Sequence, residues 1–328
     1  MKILVTINHL EKWGGSEKFV SFLIKGFQEL GHCVYLLSLI KGDPYLEMIH
    51  KGVIPFNSEI KYDIAICTHN STVADIWATS IIQICHGIYP YLEQPILGIN
   101  GHIAVSNEVK SRLKKHGISS EVIMNPVDIE KGFDVNTPYA DVLSLCQGEE
   151  ANNILKETCK SMGVTFKYHN KHHNENKNID SLINRSKLII GTGRAVIEAI
   201  SQRKQIILFD TRHYDGHVGN GLLTYDQLED AAATNYSGRN MPIINSNRIK
   251  QEILQGLNID FDNRMYHYIV QHNHYITICK KIINYSSDCK SRFSFKKLFI
   301  KKRKIVDLRT QAEKIRWMDL PVNSNKND

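Results

Sequence analysis

Along the first 125 residues, short apolar runs alternate with segments in which apolar positions recur every three or four residues. The run at 2–8 predicts a strand, and the periodicity over 17–30 predicts a helix with one buried face. Ser16 fits the N-cap of that helix, and Gly31 fits its C-terminal stop. Further strands are predicted at 33–39, 63–67, 81–85, 102–105 and 121–124, and a further helix at 107–115.

A second alternating set follows the loose stretch from Asn125 to Pro138, which we interpret as a linker. Its predicted strands lie at 141–146, 164–168, 187–190 and 205–210, and its helices near 149–161, 179–185 and 194–203. Strands that alternate with helices form parallel sheets covered on both faces. Two such sets predict an α/β protein of two doubly wound, Rossmann-like domains, with ligands at the carboxyl ends of the strands in an intervening cleft.

The pattern divides the chain at two positions. Residues 1–127 are predicted to form the N-terminal, acceptor-side domain and residues 128–260 the C-terminal, donor-binding domain. Residues 261–328 are predicted to be helices and a basic tail that pack back on the N-terminal domain.

Composition agrees with a globular protein, since 42% of the 328 residues are hydrophobic and 23% are charged. The N-terminal apolar run is too short for a secretory signal, and no apolar run reaches the roughly 20 residues that span a bilayer. We therefore expect a cytoplasmic location. The seven cysteines are odd in number and form no C-x-x-C pair, which predicts buried, reduced thiols.

The net charge of +7 is concentrated in residues 290–304, which contain eight Lys or Arg and no acidic residue. Phenylalanine, leucine and isoleucine alternate with these cations. Three interpretations of this segment remain open. Its apolar stripe packs on the protein body, its cations contact an anionic membrane surface, or its cations bind the phosphates of a nucleic acid.

Two strand-to-helix turns carry glycines that suit an anion. Glycine lets backbone N–H groups approach a phosphate, and the positive end of the following helix points to the same place. A plain flexible connection is the alternative for each turn. The residues concerned are Gly14, Gly15 and Ser16 in the first turn, and Gly191, Thr192 and Gly193 in the second.

Arg194 and Glu198 follow the second turn on the predicted helix. A carboxylate there suits the hydroxyl groups of a ribose, as in dinucleotide sites. The alternative is an i,i+4 surface ion pair, which contributes only a few tenths of a kcal/mol.

Several histidines stand at predicted strand ends or in clusters. His86 ends the strand at 81–85, and His213 and Asp215 follow the strand at 205–210, where cleft residues lie in open α/β sheets. A structural role for a strand-end histidine is equally open. Two clusters lack cysteine or carboxylate companions at metal-ligand spacing, so a polar loop or aromatic packing is expected for them. These clusters are His169, His172 and His173, and His267, His272 and His274.

These features, taken in order, resemble the retaining GT-B glycosyltransferases of family four (glycosyl transferases group 1). The resemblance covers roughly residues 2–240. It rests on Gly14-Gly15-Ser16-Glu17, Leu30-Gly31-His32-Cys33-Val34, His86-Gly87, Val105-Ser106, Gly117-Ile118, Asn125-Pro126-Val127-Asp128, Gly193–Ala199 with its Gly-x-x-x-x-Glu-Ala pattern, and Tyr236-Ser237-Gly238-Arg239.

The resemblance implies a role for individual residues. Gly15 would lie against the donor diphosphate, and His86 near the transferred sugar. Glu198 matches the second glutamate of the E-x7-E motif, which holds the ribose. The first glutamate is replaced by Ile190, and the expected arginine and lysine are absent from 145–150. Arg194 is then the nearest substitute cation, with Lys156 a further one.

The sequence thus suggests a retaining glycosyltransferase that needs no metal and takes its sugar from a UDP- or GDP-linked donor. The expected acceptor is a cell-envelope glycan, lipopolysaccharide or a lipid-linked oligosaccharide, at the inner face of a bacterial membrane. One alternative is a phage-type enzyme that glycosylates a modified DNA base. A second is a sugar-nucleotide-binding protein without catalysis, which the replacements at Ile190 and 145–150 suggest.

Overall fold

The computed structural model describes residues 1–129, 138–170, 178–212, 216–239 and 246–291. These residues form two compact units. One consists of Met1–Pro126 and the described part of Tyr275–Asp328, and the other of Val127–His274. The chain therefore enters the second unit once, and its last described helix belongs to the first.

Each unit is built on its own β-sheet. The strands are β1 (Lys2–Leu10), β2 (Cys33–Lys41), β3 (Ile54–Pro55), β4 (Tyr62–Cys67), β5 (Ala78–Cys85), β6 (Gly101–Ala104) and β7 (Ser120–Val122) in the first unit, and β8 (Ala140–Ser144), β9 (Phe166–Tyr168), β10 (Ser186–Gly191), β11 (Gln205–Arg212) and β12 (Gly216–Leu222) in the second. The first sheet has the order β3-β2-β1-β4-β5-β6-β7, and its paired strands are parallel. The second has the order β12-β11-β10-β8-β9, with β12 antiparallel at its edge.

Helices connect most of these strands. They are α1 (Gly15–Glu29), α2 (Asp43–His50), α3 (Asn107–Lys115), α4 (Glu149–Ser161), α5 (Ile179–Asn184), α6 (Arg194–Ser201), α7 (Leu228–Ala233), α8 (Ser246–Asn258), α9 (Asn263–Asn273) and α10 (Tyr275–Ser291). The predicted α/β class with two doubly wound, Rossmann-like domains is confirmed. The sequence pattern did not predict α2 or the antiparallel strand β12.

Helix α1 covers one face of the first sheet with the apolar stripe that its periodicity predicts. Phe19 and Phe27 are almost fully buried on this stripe. The predicted N-cap is wrong, because the cap is Gly14 in extended conformation and Ser16 lies inside the first turn. Gly31 ends the helix as expected, with a φ of +76° that favours glycine.

Helix α10 packs against α1, so the C-terminal part of the described chain completes the first unit. A methyl group on Gly26 would lie 2.6 Å from the sulfur of Cys279, so the helices approach closely at this glycine. The hydroxyl of Tyr275 donates to Glu29 Oε2 at 2.7 Å, and the hydroxyl of Tyr285 donates to the His102 carbonyl at 2.9 Å. These contacts join residues far apart in the chain.

All seven cysteines are free thiols, as predicted, and all but Cys33 are buried. Burial raises the pKa of Cys67 to about 12, because desolvation disfavours the thiolate. Within the described ranges, no helix is both long enough and apolar enough to span a membrane.

Candidate functional site

The turn between β10 and α6 contains a glycine with open space beside it. Gly193 has φ +63° and ψ −125°, a conformation that residues with a Cβ atom rarely adopt. Among the described residues beyond its chain neighbours, no heavy atom lies within 4 Å of the position that its Cβ would occupy. Gly191, in contrast, is buried and packs against Ala195. A ligand can therefore approach the backbone at Gly193, while Gly191 serves the packing of helix on strand.

Arg194 and Glu198 form an ion pair on α6. Both Nε and Nη2 of Arg194 lie 3.2 Å from Glu198 Oε1. Their side chains are only 13% and 6% exposed, so the pair is largely buried rather than the surface pair considered from the sequence. The guanidinium orients the carboxylate and places a cation at the first residue of the helix.

The segment Tyr236–Arg239 lies against this turn. The Gly193 N–H donates to the Tyr236 carbonyl at 2.8 Å, and the Gly219 N–H donates to the Gly238 carbonyl at 3.1 Å. Tyr236 is buried and has a φ of +53°, a conformation that costs a non-glycine residue free energy. The fold thus brings together two motifs that lie more than 40 residues apart in the sequence.

Position 190, where a glutamate was expected, belongs to the core of the second unit. Ile190 is fully buried in β10 and packs within a cluster that includes Val142, Leu155 and Ile207. A glutamate in this orientation would place a carboxylate among apolar side chains. The surrounding packing therefore accounts for isoleucine here.

The turn before α4 is closed by the protein itself. Backbone N–H groups of Gln147 and Gly148 donate to the carboxylate of Asp210 at 3.3 and 3.1 Å, and the Ala151 N–H donates to Thr211 Oγ1 at 3.1 Å. Asp210 is 1% exposed. Three of the backbone donors at this helix N-terminus, those of Gln147, Gly148 and Ala151, are thus bound by residues of β11.

Lys156, the further substitute cation, lies elsewhere. It lines an open groove of about 540 Å³ between α4 and β9, together with Lys160 and Phe166. The groove belongs to the edge of the second sheet and not to the turn that carries Arg194.

In the first unit, the turn after β1 holds a carboxylate of its own. Glu17 is 5% exposed, and its Oε2 lies 2.6 Å from the position that a Cβ on Gly14 would occupy. Its Oε1 lies 3.3 Å from His9 Nε2. A side-chain carboxylate therefore faces the positive end of α1, at Gly14, Gly15 and Ser16, where the sequence predicted a ligand anion.

Three histidines stand at the carboxyl ends of the neighbouring strands β1, β4 and β5. His9 stacks on His69 with ring centroids 5.5 Å apart, and His86 meets the ring of Phe19 edge-on at 4.5 Å. The Asn8 N–H donates to His69 Nδ1 at 3.0 Å. Burial lowers the pKa of His69 well below its usual range, with smaller contributions from His9 and His86, so this ring is neutral at pH 7.

Sequence comparison and structure comparison give different outcomes. No protein-family model and no curated protein sequence matches the chain. The glycosyltransferase AviGT4, involved in avilamycin A biosynthesis, is 14% identical and matches with a TM-score of 0.56 over 89% of this chain and 98% of its own. An α-glucosyltransferase in complex with UDP and a 13-mer DNA containing a HMU base is 11% identical, with a TM-score of 0.53 over 89% and 99%.

A further similar structure is a putative UDP-N-acetylglucosamine 2-epimerase from Listeria monocytogenes, 11% identical, with a TM-score of 0.53 over 89% of this chain and 97% of its own. All three matches cover nearly the whole of the known chains. The chain has the GT-B fold. At such low sequence identity, the similarity shows the fold alone and not the chemistry of the site.

Several predicted site residues of this GT-B chain lie outside the described residues. These are His213 and Asp215, the histidines His172 and His173, and residues 292–304 of the basic segment. Among described residues, His272 packs on Tyr268 and His267 on Tyr266, which agrees with the aromatic packing expected there. No group of three or more His, Cys, Asp or Glu in the described ranges is arranged to hold a metal ion.

The sequence analysis did not single out His9, His69 or Asp210. His9 and Asp210 lie near the ends of their strands, and His69 follows β4 by two residues. A search for polar residues at every predicted strand end would have found them. Their partners depend on the order of the strands, which the pattern does not contain.

Proposed function

We propose that this chain is a glycosyltransferase that moves a sugar from a UDP- or GDP-linked donor onto a cell-envelope glycan, either lipopolysaccharide or a lipid-linked oligosaccharide. The observation that carries this proposal is the turn at Gly193 in a GT-B fold, with Arg194 and Glu198 paired beside it. UDP is present in the structure of one similar protein, the α-glucosyltransferase. Glycine backbone, cation and carboxylate are the groups that a nucleoside diphosphate requires.

In this proposal the second unit binds the donor. Glu198 accepts hydrogen bonds from the ribose hydroxyls, while Arg194 neutralises charge on the diphosphate as its bond to the sugar breaks. Thr192, together with His213 and Asp215, would border the same ligand. The new bond forms between the anomeric carbon and an acceptor hydroxyl held by the first unit near His86. As in the family-four enzymes that the sequence resembles, we propose retention of configuration and no requirement for a metal.

The basic segment 290–304 supports a peripheral contact with an anionic membrane surface, where a lipid-linked acceptor would be found. Each lysine or arginine near such a surface contributes about 1 kcal/mol of attraction. Salt-sensitive binding to vesicles containing anionic phospholipid, lost when the eight cations are replaced by glutamine, would support this contact. Equal binding to neutral vesicles would contradict it.

The donor site is tested by calorimetry with UDP-glucose, UDP-N-acetylglucosamine and GDP-mannose. We expect one of them to bind, and Arg194→Met or Glu198→Gln to weaken that binding at least tenfold, because each removes a charged contact worth about 1.5–3 kcal/mol. Arg248→Met is the matched control, since Arg248 forms an i,i+4 pair with Glu252 at the same 3.2 Å distance on α8. Binding that is equally weak in all three variants would contradict the assignment.

A sugar-nucleotide-binding protein without catalysis is the second candidate. It is favoured by the buried Ile190, by the closed turn before α4 and by the engagement of Arg194 with Glu198. Donor hydrolysis or transfer that disappears in Glu198→Ala or His86→Ala protein would exclude it. The acceptor panel should contain lipid-linked oligosaccharide and duplex DNA at low salt, because transfer to DNA would identify the phage-type alternative.

A further inference from the structure

Glu93 lies just beyond the carboxyl end of β5, in the 3-10 turn Tyr91–Glu93. Its Oε2 lies 2.8 Å from the position that a Cβ on Gly87 would occupy, so the carboxyl rests on the backbone directly after His86. Gly87 leaves the space that the carboxyl fills. Glu93 as a whole residue is partly exposed at this loop, although its carboxyl is desolvated.

Hydrogen bonds hold the loop that carries Glu93. The side-chain amide of Gln94 donates to the carbonyls of Ile88 and Pro90 at 3.3 and 3.0 Å. The buried Gln83 donates to the Gln94 carbonyl at 3.0 Å and accepts from the Ile96 N–H at 2.8 Å. The position of the carboxyl is therefore set by the loop and by β5 rather than by a partner of its own.

Within the described part of the chain, no hydrogen bond or ion pair engages the Glu93 carboxyl. Burial alone raises its pKa to about 8. The titratable group that interacts with it is the thiol of Cys85, whose pKa burial raises to about 12. A desolvated carboxyl without donors is unfavourable, and a ligand that brings hydrogen-bond donors would relieve that cost.

We propose that Glu93 binds a hydroxyl group of the sugar acceptor, beside His86 in the first unit. The proposal rests on the proposed transferase function and assigns the acceptor class at this position. Above its pKa of about 8, the ionised Glu93 accepts hydrogen bonds from hydroxyl groups and repels a phosphate or carboxylate group of an acceptor. The acceptor therefore presents a neutral, polyhydroxylated ring to this loop.

Saturation-transfer NMR with three simple acceptor mimics tests the proposal: methyl α-glucoside, methyl α-galactoside and the methyl glycoside of N-acetylglucosamine. In the wild-type protein we expect binding of at least one mimic to strengthen as the pH rises from 6.5 to 9, because the carboxylate form accepts hydroxyl donors. Glu93→Gln, which leaves His86 unchanged, should weaken glycoside binding at pH 9 at least fivefold. It should also remove the pH dependence of that binding. Glu59→Gln, which changes an exposed carboxylate of the same unit, should leave binding unchanged.

Equal binding of the mimics by wild-type and Glu93→Gln protein at pH 9 would overturn the proposal, as would a pH dependence that persists in the variant. The proposal would also be overturned if none of the three glycosides binds the wild-type protein at any pH. Donor binding is measured on the same samples and is expected to be the same in both proteins. If no nucleotide sugar binds, the proposed transferase function fails, and the glycoside titration still decides the role of Glu93.

Discussion

The two turns of the second unit that end in glycine, before α4 and before α6, occupy equivalent places between strand and helix but differ in what surrounds the glycine. Both place glycine between a parallel strand and a helix. Before α4, the N–H groups of Gln147 and Gly148 are bound by the Asp210 carboxylate. Before α6, the Gly193 N–H is bound by the Tyr236 carbonyl, but among the described residues beyond its chain neighbours the space at its Cβ position is open, and Arg194 stands at the first helical position. The two turns therefore differ in what lies beside the helix N-terminus, which is a buried carboxylate in one turn and open space with a cation in the other.

Glycine has a different task in each turn. A Cβ on Gly148 would overlap the carbonyl oxygen of Thr211, so this glycine permits close packing of β11 on the turn. Gly193 is required for its backbone angles and leaves room in front of it. The same residue type thus closes one turn and opens the other.

Gly148→Ala should produce the largest effect. The added methyl group must displace backbone of β11, which we expect to lower the free energy of unfolding of the second unit by about 3 kcal/mol. The methyl group of Gly193→Ala would contact no described residue beyond its chain neighbours, so this variant should lose only about 1–2 kcal/mol of stability, from backbone strain. We expect it to weaken nucleotide-sugar binding more than Gly148→Ala does. Urea denaturation and calorimetry of both variants separate the two tasks, and equal stability losses would break the comparison.

Asp210→Asn should have the next largest effect, a loss of about 2 kcal/mol. The Asp210 carboxylate accepts hydrogen bonds from the backbone N–H groups of Gln147, Gly148 and Thr211. An asparagine side chain has only one acceptor oxygen, and its NH₂ group would face N–H groups that also donate. Denaturation measures the loss. A variant as stable as the wild type, with donor binding unchanged, would show that the turn before α4 does not depend on Asp210 for its closure.

The smallest effect concerns the first unit, where His69 is buried and neutral. Its pKa in the folded state lies well below 6.5, so below pH 6.5 the unfolded chain takes up a proton that the folded chain does not. Proton binding by His69 therefore leaves the free energy of unfolding unchanged above pH 6.5 and lowers it, by at most about 1.4 kcal/mol per pH unit, as the pH drops below that value.

Glu93 has the opposite effect on the free energy of unfolding in this pH range. Because its pKa in the folded state is raised to about 8, the folded chain binds a proton that the unfolded chain does not, and the free energy of unfolding rises as the pH drops. The quantity to measure is therefore the difference in unfolding free energy between wild-type and His69→Gln protein from pH 7.5 to 5.5. His116→Gln, at an exposed histidine, is the control. A difference that does not change with pH would contradict the buried, neutral assignment.

Much of the fold could be predicted because its signals are local. Helix α3 matches its predicted bounds, since Ser106 caps it by accepting from the Val109 N–H at 3.3 Å and Gly117, with a φ of +72°, follows its end. Strand β12 was missed for the opposite reason. It contains Gly219 and Gly221, both with positive φ, and becomes a strand only through pairing with β11.

The candidate site was predicted in part for the same reason. Gly193, Arg194 and Glu198 lie close together in the sequence, so their spacing on one helix was sufficient to connect them. Asp210, His69 and Glu93 act on turns and strand ends that are distant in the chain. Their neighbours follow from the strand orders β11-β10-β8 and β1-β4-β5, which apolar patterning does not specify.

The amino-acid sequence alone therefore determined the α/β class, the apolar faces of the helices and the glycine that ends α1, and it placed Arg194 and Glu198 four residues apart on one helix. Each depends on periodicity or on backbone angles within a few residues. Only the tertiary structure decided that Asp210 closes one anion site, that Glu17 faces another, and that the turn at Gly193 stays open. Those outcomes depend on which distant side chain satisfies each buried N–H group, and that choice is made when the strands pair.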